Sequence, residues 1–138
     1  MPPPAEPELT GVEKTLAQAD ELYRNRSLDQ ARQAYLRVLQ ETSQTALHAK
    51  AYYGLARIAA LQKDPELAEK LFQKTLELSP DQETRSWAYL YLGRLADASQ
   101  RREDALNNYR AVLSIEGAPP SVRSAAEKGL QESFTQKK

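Results

Sequence analysis

Ala31, Ala68 and Ala105 stand 37 residues apart, and the same offset links Tyr35 to Phe72 and Tyr109, and Leu39 to Leu76 and Leu113. A small residue, an aromatic ring and a leucine spaced by four fall on one face of a helix, because a turn takes about 3.6 residues. Three copies in register describe one supersecondary unit used three times, and a unit of this size cannot bury its apolar face alone. The copies have to stack on one another. This constraint narrows the fold before any other property of the chain is consulted.

Between Thr10 and Phe134 the apolar periodicity is helical, with proline and glycine mostly at boundaries and no sustained strand alternation. Ser27-Leu-Asp-Gln30 has the form of a capping box, Asp64-Pro65 places a proline at a first helical position, and Ser79-Pro80-Asp81-Gln82 can do both. These signals predict helices near 9–25, 28–41, 44–62, 65–78, 81–99, 102–115 and 120–135.

The units share more than their period. The third carries Tyr89, Leu92-Gly93, Ala105 and Tyr109; the second carries Tyr52, Leu55-Ala56, Ala68, Phe72 and Pro80; the first keeps Ala19, Leu22, Ala31 and Tyr35. This pattern resembles the tetratricopeptide repeat family, whose first helix bears an aromatic, Leu-Gly and a second aromatic, and whose second helix bears alanine, an aromatic and a proline. The resemblance covers roughly residues 12–119. It implies an all-α, right-handed superhelical solenoid of antiparallel helix pairs with about seven helices. The expected organisation is a single domain over 9–135, with repeats at about 12–45, 49–82 and 86–119 and a capping helix at about 120–135.

The chain departs from the family in its period, 37 residues against about 34. The extra residues fall at Ala46–His48 and Glu83–Arg85, where no breaker occurs, so the leading helices are expected to run about one turn longer. Ala126-Glu-Lys-Gly-Leu130 lays over Ala51-Tyr-Tyr-Gly-Leu55, with Glu127 in place of a core aromatic, as suits a capping helix. Residues 1–8 are proline-rich and read as an extended linker or tail, either natural or at the edge of a larger chain, and 136–138 read as a polar tail.

Composition removes several functions. Basic and acidic residues both number 19, so no overall field recommends nucleic acid or an anionic membrane. There is no cysteine, which excludes disulfides, thiol catalysis and thiolate metal sites. The longest apolar run, Tyr52–Leu61, contains Arg57 and is far short of the ~20 residues of a membrane helix. The first residues lack a signal-peptide pattern, which makes the cytoplasm the default compartment.

His48 is the only histidine, and the glycines at 11, 54, 93, 117 and 129 are too scattered for a phosphate loop. The acidic pairs Asp20-Glu21 and Glu103-Asp104 sit on helix starts or polar faces. No catalytic residue, metal or cofactor is therefore expected.

What remains is surface. At 100° per residue Tyr89, Leu92, Gly93 and Ala96 share one stripe and are core candidates, while Trp87, Tyr91, Arg94 and Ala98 share the opposite one. The resemblance implies that this second stripe lines a concave face. Tyr53 and Arg57 lie one turn apart, Arg57 precedes Arg94 by one period, Asp20 precedes Arg57 by one period, and Lys50 adds a charge nearby. Tyr53, Arg57, Trp87, Tyr91 and Arg94, flanked by Asp20 and Lys50, are thus the candidate groove for a peptide or partner helix bearing an acidic or carboxylate group.

The competing arrangement has Trp87 and Tyr91 filling the contact between leading helices while Arg57 and Arg94 pair with Asp20 and Asp97. The lysine and asparagine carboxylate clamp of some family members has no counterpart, since Leu16, Asp20, Gly54, Trp87 and Tyr91 hold the matching positions. The expected role is a non-catalytic protein-protein interaction module, an adaptor or scaffold. The alternatives are structural assembly as a homo-oligomer, or an accessory repeat region of a larger enzyme or envelope protein.

Overall fold

The computed structural model describes residues 9–135; the leader assigned to 1–8 and the tail assigned to 136–138 lie outside the described residues. Among the described residues the elements are α1 (Gly11–Arg24), α2 (Leu28–Glu41), α3 (Thr45–Leu61), α4 (Pro65–Glu77), α5 (Gln82–Ala98), α6 (Arg102–Leu113) and α7 (Pro120–Gln131), with no strand.

Helix starts follow side-chain reach and backbone angle. Thr10 and Glu13 form a complete capping box on α1, a start signal that sequence reading passed over. Asp81 accepts the Thr84 N–H at 2.7 Å, so it caps α5 in place of Ser79, which turns the chain at φ 50°. Ser27, expected to cap α2, makes no capping bond. Its ψ of 70° differs from the extended 166° of Thr10, and its own N–H is taken by the Leu22 carbonyl. Asp64, at a similar ψ of 77°, spans the gap to the Leu67 N–H with its longer side chain, at 3.3 Å.

The leading helices α1, α3 and α5 end identically. The N–H groups of Ser27, Asp64 and Arg101 reach back to the carbonyls of Leu22, Ala59 and Ala96 at 2.9, 3.0 and 2.8 Å. Arg26, Lys63 and Gln100 hold the left-handed position before them, at φ 62°, 59° and 59°. Glycine usually occupies this site because a Cβ there costs on the order of 1 kcal/mol. The tight reversal makes each following helix antiparallel to its leader. The extra residues of each period lie inside α3 and α5, which are 17 residues long against 14 for α1.

Consecutive helices pack together, and α1, α3, α5 and α7 also approach in succession, whereas the backbones of α2, α4 and α6 stay apart from one another. The leading helices therefore form the inner edge of the stack and the second helices splay outward, which is the packing of a helical solenoid. Each unit closes on one fully buried ring, Tyr35, Phe72 or Tyr109, and burying such a ring stabilises by about 1.5–3 kcal/mol.

Glycines make room for two of the rings. A Cβ on Gly54 would overlap the Tyr35 ring, and one on Gly129 would lie 2.7 Å from that of Tyr109. One period after Gly54 stands Tyr91, and there the buried ring is Phe72, stacked on Tyr91 at 5.0 Å and 11°.

Burial on α5 is broader than one stripe. Leu92, Gly93 and Ala96 are buried as expected, and Ala88 and Leu90 are fully buried too, while Tyr89 is half-buried against the cluster around Tyr109. The reason is position: α5 touches α3, α4, α6 and α7 and so buries two faces. At the far end α7 stops at Gln131, four residues before the expected boundary, and Glu132 is extended at φ −146°, ψ 146°.

Candidate functional site

On the inner edge, α3 supplies Tyr53 and Arg57 and α5 supplies Trp87 and Tyr91; with Glu83 and Thr84 they line an open recess of about 310 Å³. The Arg57 guanidinium lies over the ring of Tyr23, 4.0 Å from its centroid, and over that of Tyr53 at 4.7 Å. Cation-π contacts of this kind contribute roughly 0.5–2 kcal/mol, more when water is excluded. The Nε of Arg57 is buried with no hydrogen-bond partner, and among the described residues no carboxylate pairs with its guanidinium.

The surrounding rings are tied to one another as well as to the arginine. Tyr53 and Tyr91 meet edge to face at 6.2 Å and 66°, and Trp87 tilts against Tyr91 at 6.3 Å. Burial pushes the Tyr53 and Tyr91 hydroxyls above the usual tyrosine range, with Arg57 partly opposing the shift at both. The recess is thus walled by neutral phenols around one fixed cation, with Glu83 at its margin.

Not all of the candidate residues gather here. Arg94, one period after Arg57, lies over the ring of Phe134 at 4.9 Å and lines a separate recess near α7. The two arginines therefore do not line a common pocket. Lys50 sits 4.0 Å from Asp81, each about half exposed, an ion pair of the kind worth little in water.

The alternative pairing does not form either. Asp20 accepts the Tyr35 hydroxyl, and Asp97 accepts from the Tyr109 hydroxyl at 2.7 Å, from Arg102 at 3.0 Å and from the Phe134 N–H at 2.9 Å. Burial alone would raise the Asp97 pKa, but the hydrogen bonds from Phe134, Tyr109, Arg102 and Ser133 outweigh it and hold the carboxyl below the usual range.

Sequence reading missed Tyr23, Glu83, Thr84 and Phe134 as neighbours of these sites. Glu83 and Thr84 lie at the extra turn of α5, and Tyr23 is one residue after the large position counted on α1. His48 is half-buried at the α2–α3 junction, where its Nε2 is within hydrogen-bonding distance of the Thr42 carbonyl. Among the described residues no group of acidic and histidine side chains is arranged to hold a metal, and no helix is long and apolar enough to cross a membrane.

Residues 16–83, running from α1 through α4 into the start of α5, match the family model for the tetratricopeptide repeat. No curated protein matches the chain.

Proposed function

We infer, from a chain built of tetratricopeptide repeats, that it is a non-catalytic interaction module which holds a peptide or partner helix carrying an acidic or carboxylate group against the Arg57 recess. Repeats of this family are in general protein-protein interaction modules. The observation that supports the finer reading is the state of Arg57: a partly buried cation, clamped by Tyr23 and Tyr53, with an unpartnered Nε and no carboxylate partner among the described residues. A carboxylate brought by a ligand meets a guanidinium already fixed in place, so little ordering entropy is spent on that side. Trp87 and Tyr91 beside it offer rigid apolar contact, the residue types that dominate binding hot spots.

The test is a selection of displayed random peptides on the whole chain, followed by affinities on Arg57→Gln and Trp87→Ala. Enrichment of acidic residues is expected, with a loss of about 10-fold to 100-fold on Arg57→Gln, the worth of one charge-assisted hydrogen bond. Selected peptides without acidic enrichment, or binding Arg57→Gln unchanged, refute the reading.

Self-association is the second reading, and it too has an observation behind it. Leu36 and Leu67 are each 44% exposed and line, with Leu55, Ile58 and Leu71, a cleft between α2 and α4, whose backbones stay apart. Sedimentation of wild type and Leu36→Glu discriminates: a dimer dissociated by the substitution favours assembly.

A further inference from the structure

After α7, residues 132–135 stay on the fold. Extended from Glu132, the chain turns onto α5, where the Phe134 N–H donates to Oδ2 of Asp97 at 2.9 Å and the Phe134 ring lies beneath the Arg94 guanidinium. The receiving carboxylate is fully buried and already oriented by the Tyr109 hydroxyl and by Arg102, which also donates to the Gly129 carbonyl at 2.7 Å. The acceptor is thus rigid before the segment arrives. Beside the segment an open recess of about 490 Å³ remains, lined by Arg94, Tyr109, Ala125 and Lys128 as well as by Phe134 itself.

We propose that Asp97 and Arg94 form a binding site for an extended segment bearing an aromatic residue, and that residues 132–135 occupy it as an intramolecular ligand which a partner segment of the same chemistry displaces. The site is separate from the Arg57 recess and does not depend on it. Its recognition reads one backbone N–H and one ring, features that any extended aromatic segment presents.

Two details mark this as ligand-like contact and not a frayed helix end. The N–H is satisfied by a side chain 37 residues away in sequence, and the ring is held by a cation at a half-exposed position instead of in one of the three cores. The Phe134 N–H bond to Asp97, the weaker pull of the Ser133 hydroxyl on the same carboxylate and one cation-π contact are weak by themselves, so the segment stays bound through its tether. A partner that also fills the open recess outcompetes it.

The test uses the full chain, labelled with ¹⁵N, and a free peptide of the sequence Glu132–Lys138. Phe134→Pro removes both the N–H and the ring at a position outside any helix, and so empties the site. The peptide is expected to shift the Arg94, Asp97 and Lys128 amides of Phe134→Pro at millimolar concentration, and to bind wild type about tenfold more weakly because the tether competes. A peptide with alanine in place of phenylalanine is expected to leave both unshifted.

Absence of shifts in Phe134→Pro, equal binding by wild type, or equal binding of the alanine peptide overturns the proposal. Should circular dichroism show Phe134→Pro unfolded, Phe134→Ala, which deletes only the ring, carries the same expectations.

Discussion

Replacing Gly93 with alanine should destabilise the protein, although the same change at Gly11 should not. In an open helix, alanine gains up to about 1 kcal/mol over glycine. Gly11 meets this condition, since a Cβ there finds nothing within 4 Å. At Gly93 the Cβ would lie 2.5 Å from Cε1 and 2.7 Å from Cδ1 of Tyr109, against an ordinary carbon contact of about 3.5–4.0 Å. The ring or the helix has to yield by roughly 1 Å.

The ring has little freedom to yield. Gly129 lies close to it as well, where a Cβ would come within 2.7 Å of Cε2 and Cζ, and its hydroxyl is tied to Asp97. Overpacking of this kind costs about 1–3 kcal/mol, and tilting the ring off Asp97 adds about 1.5–3 kcal/mol for a hydrogen bond to a charged group. After the helix gain is subtracted, a net loss of about 1.5–5 kcal/mol is expected.

Urea denaturation followed by circular dichroism measures it, with a midpoint lowered by roughly 0.75–2.5 M for Gly93→Ala, at a slope of about 2 kcal/mol per molar, and unchanged or raised for Gly11→Ala. In the double variant Gly93→Ala/Tyr109→Leu the two losses should fail to add by at least about 1 kcal/mol. A Gly93→Ala protein as stable as Gly11→Ala would refute the account of the ring slot.

Gln100→Gly should raise stability by about 1 kcal/mol, because Gln100 holds a left-handed φ of 59° that glycine adopts without strain; thermal or urea melts decide it. Asp97 sets an acid limit. Its folded-state pKa is depressed, so its stabilisation is complete above the unfolded value near 3.9 and is lost as pH falls through the lower folded value. Urea midpoints measured from pH 6 to pH 2 should therefore fall more steeply for wild type than for Asp97→Asn.

The helices were legible because the repeat imposes them: small, aromatic and leucine positions recur in register, and the observed boundaries lie within two residues of expectation except at the end of α7. That end was hidden because what stops α7 is distant in sequence. Asp97 takes the Phe134 N–H and Arg102 takes the terminal carbonyls, and neither contact leaves a local signal such as a glycine or proline.

The left-handed turns were equally silent, since Arg26, Lys63 and Gln100 are ordinary residues whose only clue is their shared period. The candidate site was half legible. Helical angle brought Tyr53, Arg57, Trp87 and Tyr91 together, but register alone could not reveal that Tyr23 supplies the ring over Arg57 or that Phe134 claims Arg94.

The close approach of successive leading helices, and the separation of the α2, α4 and α6 backbones, makes the stack one-sided. Its inner edge would then serve as a line of pivots, while the outer helices are bridged only by side chains such as Arg101 and Glu69, so flexing of the curvature is the motion expected first. A ligand wedged among α1, α3 and α5 would alter the stack's end-to-end reach, and tension applied at its ends would in turn change how tightly the inner edge grips.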